Sequence, residues 1–363
     1  MLTPVELPSA ADTPRVVGGA EVPARDAPGI RSRALSAEAR HAFGGMLPLL
    51  DLPRLRDILV QVRGDEAELW IDTGHRLQRI SGWRASAAAV RGLAIQLIAA
   101  GGRHLDDLTP VADVRLGDGI RVHAVLAPIA VDGPAVSIRV PRAQPLSFTE
   151  LYRDGLCGAE EAEALAGAVR DRRNLLLTGA AGSGKTTVLA ALLDLVPARE
   201  RIVTIEDVAE LRLRHPHRVA LEARQPNAEG VGEVSLDRLL REALRMRPDR
   251  LVLGECRGAE VATLLSALNS GHNGGAGTLH ASGLGEAPAR LEALGALAGL
   301  DPPTLARQVV SAIDLLVHLE RAPSGSPRVV GCGVLVLDGT ALGIRKIPLA
   351  EAGSHLGAVA CAS

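Results

Sequence analysis

Residues 179–186, GAAGSGKT, constrain the fold of this chain more than any other feature, because they match the phosphate-binding pattern G-x-x-x-x-G-K-[ST] in full. The preceding residues 174–178 form a short apolar run typical of a buried parallel strand, and residues 187–195 are rich in Ala and Leu, as in a helix. A loop between such a strand and such a helix directs backbone N–H groups and the helix N-terminus at a phosphate. The sequence therefore predicts a nucleotide-binding domain.

Two side chains of this loop carry the predicted chemistry, with ATP and Mg²⁺ as the expected ligands. Lys185 is expected to reach the β- and γ-phosphates, and the Thr186 hydroxyl is expected to bind Mg²⁺. Lys185 is one of two lysines in a chain whose Lys and Arg together number 40, and the other is Lys346. The residues predicted to contact the nucleotide here are Gly179, Ala180, Ala181, Gly182, Ser183, Gly184, Lys185, Thr186 and Thr187.

Composition limits the possible partners. An aromatic content of 1% argues against binding of single-stranded nucleic acid by base stacking, and a formal net charge of −2 gives no overall basic field. The four cysteines are widely spaced without a C-x-x-C pair, which predicts reduced thiols in a cytosol and no zinc site. The apolar residues 92–102 are too few to span a membrane, and the first residues do not resemble a signal peptide. We expect a cytoplasmic chain that reaches a membrane through partners.

The length of 363 residues and the hydrophobic pattern predict two domains. Alternating strands and helices after residue 150 predict a parallel sheet with its ligand at the carboxyl ends of the strands. Hairpins and one helix before that point predict an α+β domain. The predicted boundaries are a flexible lead-in at 1–45, the α+β N-terminal domain at 46–141, a linker at 142–150, the nucleotide-binding domain at 151–320 and C-terminal strands with a tail at 321–363.

Acidic residues follow two predicted strands of the second domain. Glu255 ends the apolar run LVLG, where a carboxylate can position the attacking water or the Mg²⁺ shell, directly or through water. Glu206, Asp207 and Glu210 follow the preceding strand, and at least one of them should reach metal or water. The residues themselves leave open which one does.

Histidines and first-domain arginines complete the candidate site. His272 and His280 flank NGGAGTL, and each is either a structural residue or a nucleotide sensor, because no third ligand is spaced for a metal. In the first domain Arg121 alternates with apolar residues on a predicted hairpin, and Arg139 lies on the next predicted strand. These arginines form either an exposed basic face or a set that reaches the nucleotide phosphates when the domain closes.

Several stretches, in order, resemble the secretion ATPases of type II and type IV systems, and most resemble their tight-adherence (Flp) pilus-assembly branch. The most specific are the run ALRMRPDRLVLGE and the pair GH…TLHA, and the likeness extends over residues 50–319. The other matching stretches are DILV, DVRLGDGIRVHAV, GPAVSIRV, GAAGSGKTT, RIVTIEDVAEL, RLEAL and SAIDLLVHL. The resemblance implies a P-loop, RecA-like α/β C-terminal domain with a mainly parallel sheet, preceded by a smaller α+β N-terminal domain.

The resemblance also implies roles for individual residues. Glu206, Asp207 and Glu210 correspond to an acidic box in which Glu210 is the catalytic carboxylate, and Glu255 corresponds to the glutamate of an atypical Walker B strand. The remaining correspondences are His272 and His280 with the histidine box, Arg121 and Arg139 with first-domain arginines that close onto nucleotide, and Arg257, Glu260 and Arg290 with further motif positions. The catalytic residues that the resemblance implies are Glu255, Glu210, Glu206, His280, His272 and Arg257.

The family implies a homo-hexameric ring motor that works on inner-membrane platform proteins to assemble a pilus or to secrete a substrate. Export of DNA or effectors, a nucleotide-binding regulatory subunit with little turnover, and a recombinase or helicase of similar core fold are the alternatives. The chain departs from the family pattern at GGAG within the histidine box and at Cys256, where an aliphatic residue is usual. Both departures put the level of activity in doubt.

Overall fold

The chain divides into two compact units, Met1–Gln144 and Pro145–Ser363. The computed structural model describes residues 32, 34–53, 55–64, 66–74, 76–117, 119–141, 145–224 and 231–351. The predicted C-terminal tail and most of the predicted lead-in, together with residues 142–144 of the predicted linker, lie outside the described residues. Within the described part of the chain, no helix is both long enough and apolar enough to cross a membrane.

The described residues of the first unit form a six-stranded antiparallel sheet in the order β3-β2-β1-β6-β5-β4. Alternate side chains of the strands, as in β1, point into the core on one face of the sheet, and the long helix α2 packs on that face. The side chains between them lie on the other, more exposed face. The elements are α1 (Ala37–Phe43), a 3-10 helix (Gly44–Asp51), β1 (Asp57–Arg63), β2 (Glu66–Asp72), β3 (Leu77–Arg79), α2 (Ala87–Ala100), β4 (Val111–Leu116), β5 (Ile120–Val125) and β6 (Ala135–Arg139).

The described residues of the second unit form an eight-stranded sheet in the order β14-β13-β12-β7-β11-β10-β8-β9. Its helices are α3 (Phe148–Arg153), α4 (Ala159–Arg170), α5 (Lys185–Leu193), α6 (Leu236–Leu244), α7 (Glu260–Asn269), α8 (Ala287–Leu297) and α9 (Pro302–Ala312). Its strands are β7 (Leu175–Gly179), β8 (Ile202–Glu206), β9 (Arg218–Glu222), β10 (Arg250–Cys256), β11 (Ala276–His280), β12 (Leu315–Arg321), β13 (Pro327–Asp338) and β14 (Ala341–Ile347).

Six neighbouring strands of this sheet, from β12 to β9, are parallel, and β13 and β14 continue it as an antiparallel edge. The central strands β7, β8 and β11 are almost wholly buried, as expected for a parallel sheet covered on both faces. This confirms the predicted α/β C-terminal domain with a mainly parallel sheet. The predicted boundary at residue 320 falls inside β12, and the structure places no break in the sheet there.

A buried ion pair lies at the amino end of β10. Arg250 is 1% exposed, and its Nε donates to Glu200 Oε2 at 2.7 Å. Arg172 also reaches this carboxylate, with 3.1 Å between its Nη1 and Glu200 Oε2. A Cβ atom at Gly274 would lie 2.2 Å from Arg250 Nη1, so glycine is required for the guanidinium to fit. The pair therefore links β10 to the segments that precede β8 and β11.

We expect Glu200→Ala to lower the free energy of unfolding of the second unit by about 3 kcal/mol or more, because it leaves the buried Arg250 charge without its counter-ion. Urea denaturation followed by circular dichroism measures this change. The double variant Glu200→Met with Arg250→Met should recover most of the loss, since an apolar replacement of a buried pair is often close to neutral.

The control is Glu163→Ala, which removes an exposed ion pair with Arg170. It should change the free energy of unfolding by no more than about 1 kcal/mol. Equal losses for Glu200→Ala and Glu163→Ala would contradict a structural role for the buried pair.

Candidate nucleotide-binding and catalytic site

The loop between β7 and α5 has the backbone geometry that its sequence predicts. The backbone φ values of Gly179, Gly182 and Gly184 are 153°, 73° and 97°, which residues other than glycine rarely adopt. A Cβ atom at Gly179 would also lie 2.4 Å from the Leu319 carbonyl oxygen. The first glycine of the motif is therefore required both by conformation and by the close approach of β12.

Lys185 opens α5 and lies buried against its own loop. Its Nζ donates to the carbonyl oxygens of Gly179 at 2.7 Å and Ala180 at 3.0 Å. Burial lowers the pKa of this ammonium group, and the negative charges of Glu255 and Glu210 act in the opposite direction. A positive charge is thus held at the base of the loop by two neutral acceptors, which phosphate oxygens can replace.

The rest of the loop fits a phosphate group. Ser183 Oγ is buried and has no hydrogen-bond partner among the described residues. Ala180 and Ala181 are exposed, so the backbone of the loop is open to a ligand. Thr186 and Thr187 are half-buried in the first turn of α5. An open loop, an unpaired buried hydroxyl and a helix N-terminus are the features that a bound phosphate satisfies.

Glu255 lies near the carboxyl end of β10 and is held by two side chains. Arg257 Nε donates to Glu255 Oε2 at 2.7 Å, and Arg257 Nη2 lies 2.5 Å from the same oxygen. His280 Nε2 lies 3.3 Å from Glu255 Oε1. The carboxylate is thus fixed from both sides, and its charge raises the pKa of Lys185.

His280 ends β11, in register with Gly179 at the end of β7. Burial, and then the positive charge of Lys185, lowers the pKa of its imidazole. The neutral form is therefore favoured, with its Nε2 beside the Glu255 carboxylate. Arg290 donates from Nε to the His280 carbonyl oxygen at 3.3 Å and so bonds to the backbone at this position.

Glu206 ends β8 and is buried. Its Oε1 accepts hydrogen bonds from the backbone N–H groups of Glu210 at 2.9 Å and Leu211 at 3.0 Å, while Oε2 has no partner among the described residues. Its Cγ lies 2.5 Å from the position of a Cβ atom at Gly254, so glycine before Glu255 makes room for it. Burial raises the pKa of Glu206 to about 7.

The other members of the predicted acidic box are closer to solvent. Glu210 is exposed, and its backbone is held by Glu206. Asp207 is half-buried, with its Oδ2 3.9 Å from Arg257 Nη1. Glu260 instead accepts hydrogen bonds from the backbone N–H groups of Arg257 and Gly258 at the start of α7. Arg257 is therefore held at both its side chain and its backbone.

His272 is not brought to this cluster. It precedes β11, at the opposite edge of the sheet from His280, and its Nδ1 lies 3.2 Å from the carbonyl oxygen of Ala267 near the end of α7. Within one chain, the structure thus favours the structural alternative for His272. The two predicted histidines are separated by the whole length of β11.

Arg121 and Arg139 lie on the first unit, which is described by itself. They are directly opposite each other on β5 and β6, and Arg115 is opposite Arg121 on β4. Arg139 Nε lies 3.5 Å from Oδ1 of Asp57, whose pKa is raised mainly by burial. The register thus forms a transverse row of three arginines and an aspartate.

One buried pair behind the loop was not predicted. Thr178 Oγ1 and His318 Nδ1 are 2.8 Å apart, on the neighbouring strands β7 and β12. The available signal was a single polar residue in the apolar run LLVHL, which indicates a buried histidine with a hydrogen-bond partner. Burial lowers the pKa of His318, so the neutral form is favoured there.

The sequence of this chain is similar to a known protein family and to relatives from other organisms. A model of the family described as "Type II/IV secretion system protein" matches residues 56–330. A putative conjugal transfer protein of Mycobacterium tuberculosis is 46% identical over 309 residues, which cover 84% of this chain and 87% of that protein.

Two solved structures support the fold. The ATPase DotB of Yersinia pseudotuberculosis is 17% identical with a TM-score of 0.58, covering 82% of this chain and 79% of that one. The pilus retraction motor PilT with bound ADP is 19% identical with a TM-score of 0.53, covering 84% of each chain. The predicted fold class is confirmed, and the family match extends over both units: this chain belongs to the type II/IV secretion system protein family.

Proposed function

We propose that this chain hydrolyses ATP to ADP and phosphate and that hydrolysis drives a ring-shaped secretion or pilus-assembly motor. The observation that carries the proposal is the convergence of Lys185, Glu255, Arg257 and His280 at the carboxyl ends of β7, β10 and β11. A phosphate-binding loop with an acidic group fixed beside it is the arrangement that phosphoryl transfer needs.

Nucleotide binding is assigned to the loop and the start of α5. The loop N–H groups and the helix N-terminus receive the α- and β-phosphates, and Ser183 Oγ gains the partner that it lacks. Lys185 exchanges its two carbonyl contacts for oxygens of the β- and γ-phosphates. The remaining loop residues contribute backbone, since their side chains are small.

Mg²⁺ is assigned to Thr186 and Glu255. The ion supplies positive charge that offsets the charge developing on the phosphates. The Thr186 hydroxyl would be a ligand of the ion, and Glu255 would hold the ion directly or through water. Because Arg257 and His280 already contact both Glu255 oxygens, coordination through water leaves these contacts in place.

The attacking water is assigned to the acidic residues around the loop. Glu210, which the family resemblance favours as the catalytic carboxylate, is exposed and can accept a proton from water as the new P–O bond forms. ADP leaves as the bond to the γ-phosphorus breaks. Glu206 is a positioning residue, because it holds the backbone of Glu210 and Leu211 through two hydrogen bonds.

The motor is proposed to be a hexamer in the cytoplasm, attached to the cell membrane through inner-membrane platform proteins. Pilus assembly is favoured by the resemblance to the tight-adherence branch, which remains a prediction because the matching family model includes both type II and type IV systems. The relative from M. tuberculosis is named for conjugal transfer, and this name favours DNA export as the second candidate. Nucleic acid is not a proposed direct ligand of this chain.

The first prediction tests the function and separates a motor from a regulatory subunit. Glu255→Gln should retain ATP binding and lose at least about 99% of turnover, because the amide keeps the shape but loses the charge that organises water and Mg²⁺. Calorimetry measures binding, and phosphate release by the assembled ring measures turnover. Lys185→Ala is the matched comparison that should lose tight binding itself. Wild-type rings that bind ATP without releasing phosphate would support the regulatory alternative.

A second prediction concerns the pH dependence of stability. Since the pKa of Glu206 is raised in the folded chain, folding favours its protonated form, and stability should fall as pH rises from about 4.5 to about 7. Glu206→Gln keeps a hydrogen-bond acceptor and removes this contribution, which is at most about 3 kcal/mol. Urea unfolding at several pH values should therefore show a smaller loss in the variant. Identical slopes for both proteins would contradict the buried-carboxyl assignment.

A third prediction concerns the arginines of the first unit. Arg121→Ala or Arg139→Ala should lower turnover by up to about 10³-fold, as for arginine fingers, and should weaken ATP binding much less. The control is Arg91→Ala, on α2, which removes an exposed pair with Asp107. If Arg121→Ala, Arg139→Ala and Arg91→Ala have the same turnover, the first two arginines belong to a solvated face.

A further inference from the structure

Arg321 is an exposed cation beside the phosphate-binding loop that none of the assignments above uses. It is the last residue of β12, and its Nη1 lies 3.8 Å from the position that a Cβ atom would take at Gly182. In the part of the chain that the structure describes, it forms no ion pair with a carboxylate. The Arg321 guanidinium, which makes no ion pair with a described carboxylate, therefore lies beside Gly182 in the middle of the loop.

The turn after β12 holds this side chain in place. Arg321 Nε donates to the Gly325 carbonyl oxygen at 3.2 Å. The turn itself is closed by backbone hydrogen bonds from Ala322 to Ser326 at 2.9 Å and from Gly325 to Ala322 at 2.8 Å. With Nε engaged, the two Nη groups are the donors that remain for a ligand.

Backbone packing fixes the β12–β13 connection against the loop. Leu319 O lies 2.4 Å from the Cβ position of Gly179, and Pro327 Cβ lies 2.8 Å from that of Gly184. Leu319 and Pro327 flank Arg321 in sequence, and Gly179 and Gly184 flank Gly182. The glycines at both ends of the loop thus allow close contact with residues on both sides of the β12–β13 turn, and the Arg321 side chain lies near Gly182 between them.

We propose that Arg321 is a second phosphate-contacting cation of this site, which donates its Nη hydrogens to the β-phosphate of the bound nucleotide. The proposal rests on nucleotide binding by the loop. A loop of this kind surrounds the β-phosphate with backbone N–H groups, and guanidinium donors pair with phosphate oxygens in a bidentate manner. Lys185 supplies a buried positive charge to the phosphates. Arg321, which is exposed and belongs to the same chain, supplies hydrogen-bond donors of fixed orientation. Its contact does not depend on the first unit.

The experiment measures nucleotide affinities of the full chain by calorimetry, with ADP and AMP as the probes. Arg321→Gln should weaken ADP on the order of tenfold, which is typical for loss of a hydrogen bond to a charged group. AMP lacks the β-phosphate, so its affinity should not change. Arg321→Lys should retain part of the ADP affinity, because it keeps the charge and loses the fork of donors.

The matched control is Arg328→Gln, an exposed arginine on β13 of the same hairpin that pairs in register with Glu320. It should leave ADP affinity unchanged. The proposal is overturned if Arg321→Gln binds ADP as tightly as the wild type, or if ADP and AMP weaken by the same factor, which would assign the residue to the nucleoside or to loop packing. Failure of the wild type to bind ADP would instead overturn nucleotide binding itself.

Discussion

The parallel pairing of the central strands in the second unit is the constraint on which the candidate site depends. The register His280 to Gly179 sets β11 beside the start of the loop, and β10 lies next to β11. Parallel strands end at a common edge, so residues far apart in sequence converge there without any long connection. The buried Arg250–Glu200 pair at the other end of β10 links that strand to the segment before β8.

The charges at this edge act on one another because they are partly removed from water. Lys185 and His280 both have lowered pKa values, and in each case burial is the largest cause. Glu255 opposes the shift at both groups, so its own charge is the centre of the cluster. Arg257 is a permanently charged partner of Glu255. The hydrogen bond between the two side chains raises the pKa of the Arg257 guanidinium.

Much of this arrangement could be predicted from the sequence, and the rest depends on contacts between distant segments. Residues 179–186 predict their own turn because the glycines and the lysine act locally, and the apolar run before Glu255 identifies a strand end. The sequence treats His272 and His280 alike, since spacing does not indicate which end of β11 faces the loop. No local sequence signal marks Arg321, because its position depends on the pairing of β12 with β7. These strands are 140 residues apart in sequence, as their paired residues Thr178 and His318 show.

The internal hydrogen bonds of Lys185 have a further consequence for how tightly this site holds a ligand. With Nζ already donating to two carbonyl oxygens of its own loop, the lysine does not leave bulk water when phosphate arrives but changes partners. The binding free energy that Lys185 contributes is then the difference between a phosphate oxygen and a carbonyl oxygen as its hydrogen-bond acceptor. Under the proposed function, this exchange limits the free energy that Lys185 contributes to nucleotide binding. If the site binds nucleotide as proposed, the loop would need no refolding between the release of one molecule and the binding of the next.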